Sequence, residues 1–316
     1  MTPTEIIKRL YSLGHFHNPA HPTGVKESEL GQLQLHDAAV RAAIASYQEF
    51  MAVDFDRLAL AKHGRLGIAD GEVGPATKSL FEEPRCGFPD YPYPEGIMAA
   101  QLNANWPNVC RGKLRFSRNF KALPGLSEAQ TDEVFHGMSN NWTYALTDVD
   151  LISAGVTNGQ GSHIHAGLKQ LEGSTLAWSY LATNNCNDQL EQAYDTRTWD
   201  RALGITVASH EVGHALGLPH NRDGDALMYP SIHSRSLARL GYPNSTDLAQ
   251  AKGLGYSLSG ATPPKPGDLY RPRPHTPIPD PDDPTDPTNY WFSGEFELMH
   301  DDEKLGKFIL TPKPEV

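Results

Sequence analysis

Apolar residues recur at helical spacing through the first ninety positions. Ile6, Ile7, Leu10 and Leu13 share one face of a predicted helix over residues 3–13, and Gly14 supplies its stop. The same period places Val40, Ile44, Tyr47 and Met51 on a second helix, from about Asp37 to Met51. Pro75 suits a first helical position and opens a third helix carrying Leu80 and Phe81. Residues His15 to Gly31 read as loop, and VDFDRLALAKHGRLGIADGEVG reads as a glycine-punctuated connection. A compact three-helix unit over residues 1–90 is the expectation.

After residue 90 the texture changes. YPYPEGIMAAQLNANWPNVCRG reads as a connector, and KLRFS (113–117) alternates like a strand. Ser127 and Gln130 have capping-box spacing and open a helix that buries Val134, Phe135, Met138 and Trp142. TYALTDVDLISAGV and STLAWSYLA are strand-like. RALGITVASHEVGHALGL is a helix closed by Gly217, and NSTDLAQAKGLGY is a last short helix capped by Ser245 or Thr246. Strands followed by helices over about 165 residues suit an α+β or α/β domain. From Ser259 to Asn289 the chain is rich in Pro and Asp, which predicts an extended linker. Residues 290–316 regain apolar character in YWFSGEFELM and GKFILTP, which suits a small hairpin, with disorder as the alternative.

Bulk composition narrows the partners. A chain of 316 residues can bury one large core or two smaller ones. A net charge of −11 argues against nucleic acid and anionic membrane, because phosphate binding needs clustered Lys and Arg. No apolar run approaches membrane-spanning length. The opening MTPTEIIKRLYSLGHF has no uninterrupted apolar core, so no secretory signal is visible. Three cysteines cannot all pair with one another.

The chemistry is concentrated in HEVGHALGLPH, residues 210–220. On a helix, His210 and His214 lie one turn apart and point the same way. Glu211 beside them can reach a water on a shared metal ion. Gly217 ends the helix and lets the chain turn back without a Cβ penalty, which brings His220 round as a third imidazole. Three neutral nitrogen ligands and one open position fit a catalytic zinc. Eight residues on, Met228 in ALMYP would give the site a stiff apolar floor.

HEVGHALGLPH followed by ALMYP resembles the metzincin zinc endopeptidases, and among them the matrixins. The resemblance implies that His210, His214 and His220 hold one catalytic zinc, that Glu211 is the general base, and that Met228 forms the Met-turn. Upstream, PRCGFPD (84–90) resembles the cysteine-switch motif of matrixin propeptides. By that resemblance Cys86 takes the open position on the zinc in a latent form, and Arg85 pairs with Asp90. The segment AAIASYQEFMAV…DGEVGPATKSLF resembles the peptidoglycan-binding-like helical domain of many matrixin propeptides. The implied organisation is a prodomain at 1–90, a catalytic domain at 91–258, a linker at 259–289 and a terminal segment at 290–316.

The sequence departs from the family in several places. GSHIHAG offers His163 and His165 without the aspartate of a second, structural zinc site. Trp178 and Ala193 stand where the later histidines are expected. His163 and His165 are therefore expected as ordinary loop residues, and no acidic loop matches a calcium site clearly. The wall after the Met-turn reads Pro230, Ser231, Ile232 instead of proline, any residue, tyrosine. Leu176, Ala177, Pro230 and Ile232 are the expected substrate-binding residues, with Leu176 to Ala182 as the edge strand. Cys110 and Cys186 could pair, or both could be free thiols.

The resemblance implies a monomeric, extracellular peptidase acting on proteins or peptides. The alternative function is a cell-wall-associated metallohydrolase, bacterial or phage, whose helical domain binds peptidoglycan; the alternative location is cytoplasmic or lysis-released.

Overall fold

The computed structural model describes residues 1–91, 104–261 and 263, and the backbone of 294–300 and 303–310. Most of the expected linker lies outside them. The chain divides into two compact units, 1–273 and 274–316.

The N-terminal region holds four helices: α1 (Pro3–Ser12), α2 (Ala38–Phe50), α3 (Ala52–His63) and α4 (Pro75–Glu82). Thr2 and Glu5 form a capping box on α1, and Pro75 sits at the start of α4. The third of these helices departs from the sequence expectation. Its glycines begin only at Gly64, and the residues before them bury Phe55, Leu58 and Ala59 at i, i+3 and i+4. Only Met51 separates α2 from α3. The stretch read as loop after residue 14 contains two 3₁₀ turns, His15–His17 and Glu27–Gln32. Ile7, Leu10, Ile44, Tyr47 and Leu80 form the core of this region.

A short helix, α5 (Asn108–Arg111), precedes a five-stranded mixed sheet. Its strands are β1 (Leu114–Arg118), β2 (Leu151–Val156), β3 (Ile164–Lys169), β4 (Ala177–Ser179) and β5 (Leu190–Asp195), in the order β2-β1-β3-β5-β4. β2, β1, β3 and β5 run parallel, and the edge strand β4 runs antiparallel to β5. β3 and β5 were not foreseen as strands. IHAGLK and LEQAYD lack strict alternation because both are largely buried inside the sheet. His165 is therefore a strand residue, not a loop one: its partner in register is Ser117 on one side and Glu191 on the other.

Two long helices cover the sheet, α6 (Glu128–Ala145) and α7 (Arg201–Ala215). Ser127 and Gln130 cap α6 as a capping box, and Asp200 accepts a hydrogen bond from Leu203 N at the start of α7. The helices approach closely through glycine. A Cβ at Gly137 would meet Ile205, and one at Gly204 would meet Val134. Phe116, Phe135, Met138, Trp142 and Val212 belong to the core cluster formed there. Two short helices follow, α8 (Ser234–Ala238) and α9 (Ser245–Gly253). The cap of α9 is Asn244, one residue ahead of the predicted cap, with its side chain accepting from Thr246 N and Asp247 N. Cys110 and Cys186 form a disulfide that closes the option left open by their spacing, with Cα atoms 5.9 Å apart.

The C-terminal unit contains an antiparallel pair, β6 (Gly294–His300) and β7 (Glu303–Leu310), the hairpin expected there.

Candidate metal centre and the cleft around it

Helix α7 carries His210 and His214 one turn apart, both buried. Gly217 then takes φ +98°, where a side chain would also strike Ala104 O, and the chain reverses to bring back His220. His210 Nε2 lies 3.3 Å and His214 Nε2 3.2 Å from His220 Nε2. Cys86 Sγ lies 3.5 Å from His214 Nε2. The four ligand atoms all fall within 4.8 Å of one another.

These spacings suit one small tetrahedral cation. Bonds of roughly 2.0–2.1 Å to nitrogen and 2.3 Å to sulfur, at tetrahedral angles, separate two nitrogens by roughly 3.3 Å and a nitrogen from a sulfur by roughly 3.5 Å. The donor set, three imidazoles and a thiol, is that of a zinc site. The ring tautomers agree with it. His210 Nδ1 donates to Leu227 O at 2.6 Å, and His214 Nδ1 donates to Leu218 O at 2.7 Å. Each ring thus keeps its Nε2 lone pair for a metal. Burial depresses the pKa of all three histidines, His210 to about 3, so the neutral, ligating form is the one held near neutral pH.

Glu211 is fully buried; the Cys86 thiol faces its carboxylate, and neither oxygen has a partner at full hydrogen-bond geometry among the described residues. Burial raises its pKa to about 8. A buried carboxyl with only a weak thiol donor is costly, which fits a site built to hold a further group beside it. Burial, then the Glu211 charge, pushes the Cys86 thiol well above its ordinary value. A cation at the site would reverse that preference and favour the thiolate.

Beneath the histidines, Met228 packs against α7. A Cβ at Gly213 would meet the Met228 sulfur and crowd Trp142, so a larger residue there would push the methionine from its place under the helix. The loop carrying Met228 is held by a residue that the sequence reading passed over. Asp247 accepts from Leu227 N at 2.8 Å and from Met228 N at 2.9 Å, and also from Asn244 N. Its tie to Asn244 N is a local capping contact, but its hold on Leu227 and Met228 has no local pattern, because those partners lie about twenty residues upstream.

The segment bearing Cys86 runs between two walls. Arg85 N donates to Ser174 O, Leu176 N to Arg85 O, and Gly87 N to Ala177 O, a parallel pairing onto β4 and the residues leading into it. On the other side Cys86 N donates to Pro230 O at 2.9 Å. Cys86, Leu176, Val207, His210, Glu211, Pro230 and Ile232 enclose a gap too narrow for a water molecule beside the metal centre. The structure thus gathers Leu176, Pro230 and Ile232 around one closed gap and puts Ala177 in the pairing at its edge. Phe88 stacks on the His214 ring at 4.3 Å between centroids.

Arg85 and Asp90 form a buried ion pair, Nη2 to Oδ1 2.6 Å. Asp90 also accepts from His220 Nδ1 at 2.9 Å and from His15 Nε2 at 3.0 Å. Neither contact was anticipated, since nothing in HFH or PRCGFPD announces a partner so far away. His163 and His165 do not join the cluster. His163 Nδ1 accepts from Arg115 N, and His165 Nδ1 pairs with Ser117 Oγ at 2.8 Å.

Residues 129–249 match the family model of matrixin peptidases. The chain is 28% identical over 178 residues to a matrix metalloproteinase-A of Caenorhabditis elegans, covering 50% of this chain and 33% of that protein. It is 26% identical over 215 residues to a neutrophil collagenase of Homo sapiens, covering 63% of this chain and 44% of that one. A matrilysin of Felis catus is 42% identical over a stretch of 67 residues. The chain spans less than half the length of these curated relatives.

Proposed function

We propose that this matrixin-like chain is a latent, zinc-dependent endopeptidase held inactive by its own residues 84–90. The carrying observation is the convergence of Cys86 with His210, His214 and His220, ligand atoms within 4.8 Å of one another. The thiol arrives on a segment that fills the groove between β4 and Pro230. On this reading residues 1–90 are the prosegment, 91–258 the catalytic region, and the substrates are proteins or peptides.

Zinc bound at the three imidazoles would supply a Lewis acid that acidifies a water and polarises the scissile carbonyl. The protein does the rest. Glu211, beside the metal centre, takes the proton from the attacking water and passes it to the leaving amine. Burial raises its pKa without a cation; a zinc ion beside it would favour the carboxylate, the form that accepts a proton. β4 is an edge strand, so once residues 85–87 leave, its free backbone groups can pair with an extended substrate. Leu176, Val207, Pro230 and Ile232 pack beside Glu211 with no room for a water between them, so a substrate side chain that parts them meets an aliphatic lining, which favours an apolar residue.

The disulfide Cys110–Cys186 supports an oxidising, extracellular setting. No described helix is long and apolar enough to cross a membrane.

The test compares peptide cleavage by wild type and Cys86→Ser, each with and without a zinc chelator. The variant should cleave at once, wild type only after nicking between residues 91 and 103, and chelator should stop both. Equal activity of the two intact proteins would sink the latency reading. No cleavage by either, with zinc bound, would sink the peptidase reading.

A further inference from the structure

The three imidazoles of the metal centre are not supported alike. His210 and His214 donate through Nδ1 to backbone carbonyls, Leu227 O and Leu218 O, which stay with the catalytic region whatever else moves. His220 Nδ1 has a carboxylate instead, Asp90 Oδ1, at 2.9 Å. That carboxylate sits on the segment that carries Cys86.

Asp90 is held where it is by a chain of partners on the prosegment. Its carboxylate can only accept, so each neighbour must donate. Arg85 Nη2 donates to Oδ1 and His15 Nε2 to Oδ2. With its proton on Nε2, His15 accepts at Nδ1 from Ser46 Oγ, 2.9 Å away. Ser46 Oγ in turn accepts from Asn18 Nδ2 at 2.9 Å. All of these groups are buried. The result is a line from α2 through His15 and Asp90 to His220, with every proton assigned by its neighbours. Arg85 alone would satisfy one carboxylate oxygen. The second anchor, His15, holds the group turned so that Oδ1 also faces the imidazole.

We infer that Asp90 is a positioning residue for the metal ligand His220, and that the prosegment is a metal-retention device as well as a plug. The inference rests on the zinc reading given above. A carboxylate behind a ligating imidazole fixes the ring plane and tautomer and raises the basicity of the other nitrogen. Loss of such a partner typically weakens metal binding ~10–100-fold. The intact chain therefore holds its cation by two means, the Cys86 thiolate on the open position and the Asp90 carboxylate behind His220. Departure of residues 1–90 removes both. Latency and metal loading are coupled: the same loop that blocks the site keeps it charged, and the released catalytic region is the form that loses zinc.

The experiment uses the full chain carrying Cys86→Ser, so that no sulfur contributes. Its segment remains seated through Cys86 N to Pro230 O, Gly87 N to Ala177 O and the Arg85 pairings. Zinc affinity is measured by competition with a chromophoric chelator, with and without a further Asp90→Ala or Asp90→Asn change. The expected result is a ~10–100-fold weaker hold with Asp90→Ala and a smaller loss with Asp90→Asn, whose amide oxygen still accepts but carries no charge. The zinc-loaded Cys86→Ser chain should also show a far-downfield proton resonance from His220 Nδ1–H. Asp90→Ala should abolish it. Asp90→Asn is nearly isosteric, so a folding defect in the alanine variant leaves the comparison intact. Zinc affinities within twofold across all three proteins would overturn the inference while leaving the zinc reading standing. A parent chain that binds no zinc would overturn both.

Discussion

Arg85 and Asp90 meet at 2.6 Å with side-chain exposures of 1% and 0%. Breaking a buried ion pair from one side leaves an uncompensated charge, which costs ~3–5 kcal/mol. Asp90 would keep His15 and His220, but Arg85 also donates to Cys86 O and so shapes the turn that aims the thiol. Arg85→Ala is therefore expected to unseat the segment. The full chain should then cleave a peptide without nicking, and should lose its prosegment to a trace of a second protease faster than wild type does.

Glu211→Gln removes the group assigned to proton transfer and leaves the three imidazoles untouched. The expected outcome is a ~10²–10⁴-fold fall in kcat of the Cys86→Ser chain, with zinc content per chain unchanged. Activity within a few-fold of the parent would show that another group handles the proton.

Asp247 ties the loop carrying Met228 to α9 through two backbone N–H donors, Leu227 N and Met228 N, and accepts a third from Asn244 N at the cap of α9. An unsatisfied buried donor costs ~1–3 kcal/mol. Asp247→Ala should lower unfolding stability by ~2–5 kcal/mol, and Asp247→Asn by less, since the amide oxygen still accepts. Denaturant unfolding of the zinc-loaded chain measures both.

Burial holds the pKa of His15 below its ordinary value, with Arg85 and Arg222 lowering it and Asp90 opposing. The unfolded or undocked segment, with a pKa near 6.5, then binds a proton that the docked one does not. Docking is thus unpenalised above about pH 6.5 and weakens as pH falls below it. The depressed pKa of Asp90 works in the same direction, at still lower pH. The thermal midpoint of the intact chain should fall between pH 7 and 5, and His15→Gln should flatten part of that fall. A midpoint independent of pH over this range would contradict the assignment.

Cys110 and Cys186 close a loop across a sequence separation of 76. Chain-entropy arguments assign such a crosslink ~4 kcal/mol. Reduction, or Cys110→Ser with Cys186→Ser, should lower the melting temperature while leaving Cys86 and the metal ligands in place. Unfolding with and without a thiol reductant checks it.

Much of the site is legible in the sequence because its logic is local. His210 and His214 face one way because a helix repeats every 3.6 residues, and Gly217 turns the chain because it alone takes φ +98° without strain. Ser127 with Gln130, and Pro75 at the start of α4, announce their helices for the same reason: both partners lie within one turn. Where the reading departed from the structure, neighbours outweighed pattern. α3 was hidden by the glycines that follow it, and β3 and β5 by burial that removed the polar half of their alternation. The cap of α9 moved one residue, to Asn244, whose side chain reaches two backbone donors at once.

By itself, then, the sequence determined which residues can ligate a metal, where the thiol lies and how stiff its loop must be, since spacing and backbone freedom are properties of short segments. Tertiary structure alone decided what surrounds them. Asp90 behind His220 is a contact between residues 130 positions apart. Asp247 under Met228, His15 behind Asp90 and Cys110 with Cys186 likewise join separate segments. The physical reason is common to all four. A buried charge, donor or thiol takes whatever partner the packed chain brings within reach, and no periodicity along the chain encodes which partner that is.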